Sequence, residues 1–260
     1  MPGSIRAAHG LARATVIDAV RRPAFGLGVV SLGVLLALAP RLGSPAAGVR
    51  DNAALALELS LSTLAIAGPV VAGLLAIQAT QADHDAGLAR ELLAAPQRGS
   101  TYLWGRWIGV ATVTYALCIG AVAVGAIGWT GRTTPSLPAD FASWCGLIAG
   151  LPLMLLLGAS LGLVYGLITS RDLGIVCFIV HLLGARFLTS WSPDAPPALR
   201  TLLLAIPDPS RLDLAADFAF GRAVGNRALA LAAAASAAQA VALMLIVPSL
   251  LRRRTRRGSS

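Results

Sequence analysis

Six apolar stretches, at roughly residues 23–40, 53–80, 105–129, 141–169, 173–190 and 226–251, constrain this chain more than any other feature. A helix crosses the ~30 Å hydrocarbon core of a membrane in about 20 residues, rising ~1.5 Å per residue. Four of the stretches exceed that length, and the first and fifth approach it. Only 13% of the 260 residues are charged, against about a quarter in a typical soluble domain. There is too little polar surface to cover a globule in water, and the mean hydropathy of +0.74 agrees. The expected fold class is an all-α integral membrane protein with six transmembrane helices, an N-terminal amphipathic interfacial helix and a short cytoplasmic coupling helix. Residues 1–22 form the interfacial helix in this reading and 23–251 the transmembrane domain. The latter holds a cytoplasmic loop at 81–104 and an outer segment at 191–225, and 252–260 is a basic cytoplasmic tail.

All 21 basic residues are arginine. A phosphate-binding P-loop needs a lysine after its second glycine, so ATP-driven work by this chain requires another polypeptide. The arginines also set orientation, because cytoplasmic flanks of spans are enriched in them. With the N-terminus inside, 13 fall on the cytoplasmic side and 8 on the outer side, where seven acids nearly cancel them. Both termini are therefore expected in the cytoplasm, in a plasma (inner) membrane. The net charge of +9 reads as orientation in lipid, and no nucleic-acid partner is expected. The run 24–38 precedes Ala37-Leu38-Ala39, but its basic lead is long for a signal peptide, and it is read as a retained span.

SIRAAHGLARATVIDAVRR places Ile5, Ala8, Leu11, Ala12, Val16 and Val20 on one helical face, with Arg6, Arg13 and Arg21 elsewhere. Such a helix suits the headgroup plane before Pro23 turns the chain inward. Gly68-Pro69 is expected to bend the second span, since proline removes a backbone donor.

Several residues inside the spans carry chemistry. Gly158-Ala159-Ser160-Leu161-Gly162 matches the G-x-S-x-G pattern of a serine nucleophile, with His181 as a conceivable base for an intramembrane serine protease. Gly158, Gly162 and Gly166 recur every four residues, however, a small-residue stripe that permits close helix packing in lipid, and packing is the favoured reading. Cys177 and His181, four apart, share a helix face as two soft metal ligands would; they are the weak metal candidates, and a third ligand is not apparent nearby. They are the support for an alternative function, a membrane cofactor- or metal-handling assembly factor without pumping. Gln78, Tyr165, His181 and Gln239 are polar groups within spans, and they either line a substrate path or bridge helices, as Ser236 does also.

Charge is concentrated in DHDAGLARELLAAPQRGSTYLWGRW, residues 83–107. Leu88, Leu92 and Leu93 give a short amphipathic helix that Pro96 is expected to end, with a turn at Gly99-Ser100. Tyr102, Trp104, Arg106 and Trp107 follow as membrane-interface anchors. Asp83-His84-Asp85 is not read as a metal cluster, because consecutive side chains on a helix point in different directions.

This stretch resembles the loop between the second and third spans of type-2 ATP-binding-cassette (ABC) transporter permeases, in particular the subgroup of the nitrous-oxide-reductase maturation permease. Asp83 and Asp85 fit the paired acids of that family, Gly87 its glycine, Leu92-Leu93 its leucine pair and Pro96 its proline. Tyr102 fits its aromatic residue and Gly105-Arg106 its Gly-Lys. Leu88 stands where threonine is usual, and Gly99 where arginine is common, with Arg98 one place earlier. ARATVIDAVRRPAFG is similar to the family's N-terminal helix, IPDPSRLDL to its segment before the last span, and RRRTRR to its basic end.

The resemblance implies a non-catalytic exporter permease working by alternating access. It implies pairing with a second copy or a related permease, in membrane lipid, and with two copies of a cytoplasmic ATPase that binds ATP and Mg; no cofactor is expected on this chain. Asp83, Asp85, Gly87, Leu88, Glu91, Leu92, Leu93, Pro96 and Arg98 would form the element coupled to that ATPase, with the N-terminal helix beside it.

Overall fold

A computed structural model of the chain describes residues 2–21, 49–85, 96–129, 141–190, 206–209 and 226–257, with isolated positions at 30, 33–34, 38 and 196. Among these residues the protein is all-helical. Helix α1 spans Pro2–Arg21, α2 Val49–Asp85, α3 Pro96–Trp129, α4 Phe141–Ile168, α5 Arg171–Ser190 and α6 Asn226–Arg257. The last five correspond to the apolar stretches expected from the second to the sixth. The first, 23–40, falls almost wholly outside the described residues.

Three helical segments are long and apolar enough to cross a membrane: Ser62–Asp85, Gly150–Ile168 and Ala230–Ser249. α5 is shorter on apolar length because Arg171, Asp172 and Arg186 lie within it. Yet it exposes Leu173, Val176, Val180, Leu183 and Phe187 at three- and four-residue spacing, one continuous stripe. Exposed apolar surface of that extent is a liability in water and ordinary in hydrocarbon, so the chain has the character of a membrane protein.

α4 is central, touching α2, α3, α5 and α6, and its closest partner is α2. The glycine stripe explains that closeness. A Cβ on Gly158 would stand 2.6 Å from the Pro69 carbonyl oxygen, one on Gly162 would overlap the Gly73 backbone, and one on Gly166 would reach 3.1 Å from Ile77 Cα. The two backbones therefore pack directly on one another, as the spacing of the three glycines led one to expect. Phe178 of α5 fills the space over Gly73, where a side chain would collide with its ring. α2 continues as a helix through Pro69, which is buried against α4.

Two local expectations are corrected. Pro96 begins α3, and Gly99-Ser100, expected as a turn, lies inside that helix; the expected short helix over Leu88–Leu93 lies outside the described residues. Proline lacks an N–H and has its φ preset near the helical value, so the first turn is where it fits best. Asp83, His84 and Asp85 form the last turn of α2 and do not belong to a separate loop.

α1 also differs from a helix floating in headgroups. Ala8, Leu11 and Ala12 of its expected apolar face lie against α3, whereas Val20 of that face stays exposed. A Cβ on Gly105 would lie 2.8 Å from the Ala8 carbonyl oxygen, and one on Gly109 would lie 2.7 Å from Thr15 Cβ and 3.0 Å from the Ala12 carbonyl. Steps of four on both helices match, so α1 runs along α3 in the same direction. Ala19 is buried, whereas Arg6, Arg13 and Arg21 remain exposed.

Candidate functional site

The last turn of α2 meets the second and third turns of α3 at a buried carboxylate. Asp83 is 4% exposed and accepts from three donors. Tyr102 donates its hydroxyl to Oδ2, Arg106 donates Nε to Oδ2 at 2.7 Å, and Arg106 Nη2 pairs with Oδ1. The guanidinium uses its remaining arm on α1, donating Nη1 to Thr15 Oγ1 at 2.8 Å. Thr15 in turn donates to the Leu11 carbonyl at 2.8 Å, one turn earlier in α1. Burial, and next the neighbouring Asp83 carboxylate, hold the Tyr102 phenol well above its ordinary range. Tyr102 is thereby a donor and not a competing anion, which the carboxylate requires.

Local sequence makes this geometry. Tyr102 and Arg106 are four apart on α3 and share a face, and the Arg106 guanidinium lies 5.9 Å from the Tyr102 ring centre. Gly105 between them lets α1 approach closely enough for Thr15 to reach Arg106. Trp107 faces the opposite way, donating Nε1 to the Leu156 carbonyl of α4 at 3.0 Å, and Trp104 stacks edge-on against it at 4.9 Å. Of the four expected membrane anchors, Tyr102 and Trp107 are thus covered by protein, Arg106 is mostly covered, and Trp104 keeps an exposed face.

Among the residues expected to couple to an ATPase, Asp83 faces the protein interior and Asp85 is exposed at the end of α2. Gly87, Leu88, Glu91, Leu92 and Leu93 lie outside the described residues. Pro96 and Arg98 fall in the first turn of α3. One turn before Asp85, Gln81 donates Nε2 to the carbonyls of Gly166 at 2.6 Å and Thr169 at 2.9 Å. It caps the last turn of α4, whose carbonyls have no partner within their own helix. The ends of α2 and α4 and the starts of α3 and α5 therefore share one end of the bundle.

A second polar cluster gathers three of the four expected path residues. Tyr165 of α4 and His181 of α5 are bonded hydroxyl to Nδ1 at 3.1 Å, and His181 Nε2 lies 2.9 Å from the Pro207 carbonyl. A carbonyl only accepts, so Nε2 carries the proton and Nδ1 accepts from the Tyr165 hydroxyl. Gln239 of α6 donates to the neighbouring Ile206 carbonyl at 3.3 Å. The short stretch 206–209, with Asp208 and Pro209 buried, is thus bonded to both α5 and α6. Gln239 lies midway along Ala230–Ser249, and His181 lies ten residues into α5. Gln78 stands apart, lining a cleft with Thr15, Asp18, Leu75, Arg106 and Val110.

The chain matches no protein-family model and no curated protein.

What the two clusters can do follows from their own chemistry. Ser160 is wholly buried inside continuous α4 and donates to the Leu156 carbonyl at 2.7 Å; the strand–turn–helix setting of a G-x-S-x-G nucleophile is not formed there. Both ring nitrogens of His181 are engaged, and no three His, Cys, Asp or Glu side chains converge on a metal-sized space among the described residues. Cys177 is partly exposed on α5. The Asp83 cluster, by contrast, ties three elements together through charge-assisted bonds, the strongest class of hydrogen bond available to side chains.

Sequence reasoning missed Thr15 and Gln81. Thr15 lies one turn after Leu11 of the expected apolar face, and a polar residue there on a packed face asks for a partner. Gln81 carried a weaker signal, an amide one turn before the charged end of a span.

Proposed function

We propose that this chain is the permease subunit of an ABC exporter, moving its substrate by alternating access with energy from a separate ATPase subunit. The sequence supports the reading through the order of its motifs: paired acids, glycine, leucine pair, proline, aromatic and Gly-Arg between two apolar stretches, with a basic amphipathic helix before and a basic end after. The absence of any lysine, and so of a P-loop, calls for an external motor.

The observation that carries most weight is the joining of the two helix ends that flank residues 86–95. The Asp83–Arg106 ion pair holds the last turn of α2 to a point ten residues into α3, so the two helices that flank the segment are tied to each other. A segment so anchored passes a push on its residues directly to two long helices. A segment on slack ends would absorb it. In this reading ATP-driven closure of the partner displaces residues 86–95, and the helices tilt in response. The polar cluster of Tyr165, His181 and Gln239 then lies along or beside the route that opens.

The test is association. With Glu91→Arg, the chain should still insert in the membrane, while the ATPase that co-purifies with the unaltered chain is lost or its stimulated hydrolysis falls. Unchanged co-purification together with unchanged hydrolysis would count decisively against a coupling role for the segment.

A further inference from the structure

α1 packs extensively on α3 but has little direct packing on α2. Between α1 and α2 lies a narrow cleft, lined by Thr15 and Asp18 on one side and Leu75 and Gln78 on the other. What crosses from α1 to the end of α2 is the Arg106 guanidinium, which spends Nη1 on Thr15 and both Nε and Nη2 on Asp83. A guanidinium is planar, so bonding on both sides fixes the direction of each partner as well as its distance. Tyr102 occupies the same carboxylate from the α3 side, leaving Asp83 little freedom to swing away. Gly105 and Gly109 bring the α1 and α3 backbones into contact beneath it.

From this arrangement we infer that Thr15, Asp83, Tyr102 and Arg106 act as a clamp that makes α1 a third member of the unit receiving the partner's push. α1 then moves with the facing ends of α2 and α3 and does not act as a passive float at the membrane surface. This rests on the permease reading. It adds to it that Asp83 works inside the chain and does not contact the ATPase, and that Thr15 is a positioning residue acting through Arg106.

Thr15→Val isolates the inference, because it keeps the shape of the side chain and the Asp83–Arg106 pair while removing the acceptor on α1. Spin labels at Arg13→Cys on α1 and Ile66→Cys on α2, with the native cysteines replaced, report the distance between the two helices in phospholipid vesicles. The measurement is made on the full chain alone and in its complex with the co-purifying ATPase. With the clamp intact, the chain alone should give one narrow distance, and ATP with Mg should shift it in the complex. Thr15→Val should raise the fraction of a second α1 position about tenfold, the loss expected for one hydrogen bond to a charged donor. Arg106→Lys, which cannot hold both partners in one plane, should do the same.

In both variants ATPase association should be unchanged, while the ATP-driven shift of the α1 label disappears. Two outcomes would overturn the clamp: a distance distribution unmoved by Thr15→Val and Arg106→Lys, or an α1 label that follows ATP as fully in the variants as in the parent. Failure of any ATPase to accompany the unaltered chain would sink the permease reading instead, and the distances in the chain alone would still decide whether α1 is clamped.

Discussion

Asp83 carries its charge into a site where almost no water reaches it, and its stability depends on partners that cannot be removed singly without leaving a charge behind. Removal of one member of a buried ion pair typically costs about 3–5 kcal/mol. Arg106→Gln is therefore expected to destabilise the folded chain by ~3 kcal/mol, and Asp83→Asn by a similar amount. The double variant should cost less than the sum, since neither charge is then stranded. Thermal unfolding of the four forms in one detergent checks both statements. Tyr102 adds a pH dependence of definite sign. Its folded-state pKa is raised above the ordinary 10.0, by burial first and by the Asp83 carboxylate next, so the folded chain keeps a proton that the unfolded chain releases. That contribution is whole below pH 10 and drains away as the pH climbs above it. Tyr102→Phe should remove this part of the alkaline loss, read as a flatter decline in melting temperature from pH 9 to 11. The sequence marked all three residues as unusual, because charge is rare here and clustered there. It did not pair Asp83 with Arg106, which are 23 positions apart and joined by stretches of two helices whose ends had first to be located.

At the scale of helices, close approach and open space make opposite demands on glycine. A methyl group on Gly162 would overlap the Gly73 backbone of α2, and backbone yields less readily than a side chain. Gly162→Ala should therefore destabilise the chain by ~1–3 kcal/mol, the usual range for overpacking. Gly10 lies on the exposed side of α1 with nothing within 4 Å of a Cβ. Gly10→Ala should stabilise by ~0.5–1 kcal/mol, since alanine loses less backbone freedom on entering a helix. The pair of variants, compared by unfolding in the same detergent, tests whether the stripe is packing and not mere composition. Its four-residue recurrence was legible in sequence, as was a helix over each of five apolar stretches, three of them holding a segment long and apolar enough to cross a membrane. What was not legible is where helices outrun their apolar parts. Lipid thickness sets the hydrophobic length, but hydrogen bonding continues until a residue breaks the ladder, so α2 carries on through Asp83-His84-Asp85 and α3 starts early, at Pro96. The apolar face of α1 was readable too, though its destination was not: Gly105 and Gly109 on α3 offer it a groove, and periodicity alone does not tell a protein groove from a lipid surface.

For the whole molecule, the permease reading requires one end of the bundle to face the cytoplasm, and geometry and charge bear on which end independently. Gln81 reaches the end of α4, Asp83 reaches Tyr102 and Arg106 in the first three turns of α3, and Ala8, in the first half of α1, lies against Gly105 in the same part of α3. One end of the molecule therefore gathers the α2–α3 and α4–α5 connections and the beginning of α1. The arginines flanking these places are Arg6, Arg90, Arg98, Arg106 and Arg171, with Asp83 internally paired to Arg106. Positive charge near helix ends is retained on the cytoplasmic side, so this end is expected inside and the α3–α4 connection outside. Arg132 is the lone arginine of that connection, which also carries Asp140. A reporter active only in the cytoplasm should be active when inserted at residue 95 and silent at 135, and an externally active one should show the reverse. Adding arginines at 133 and 134 should weaken the difference, because the asymmetry that orients α3 and α4 is then reduced. Equal signals from 95 and 135 would mean that α3 does not cross the membrane, and the six-span arrangement would fall with it. A clean reversal would keep the crossing but place residues 86–95 outside, where no cytoplasmic ATPase reaches them.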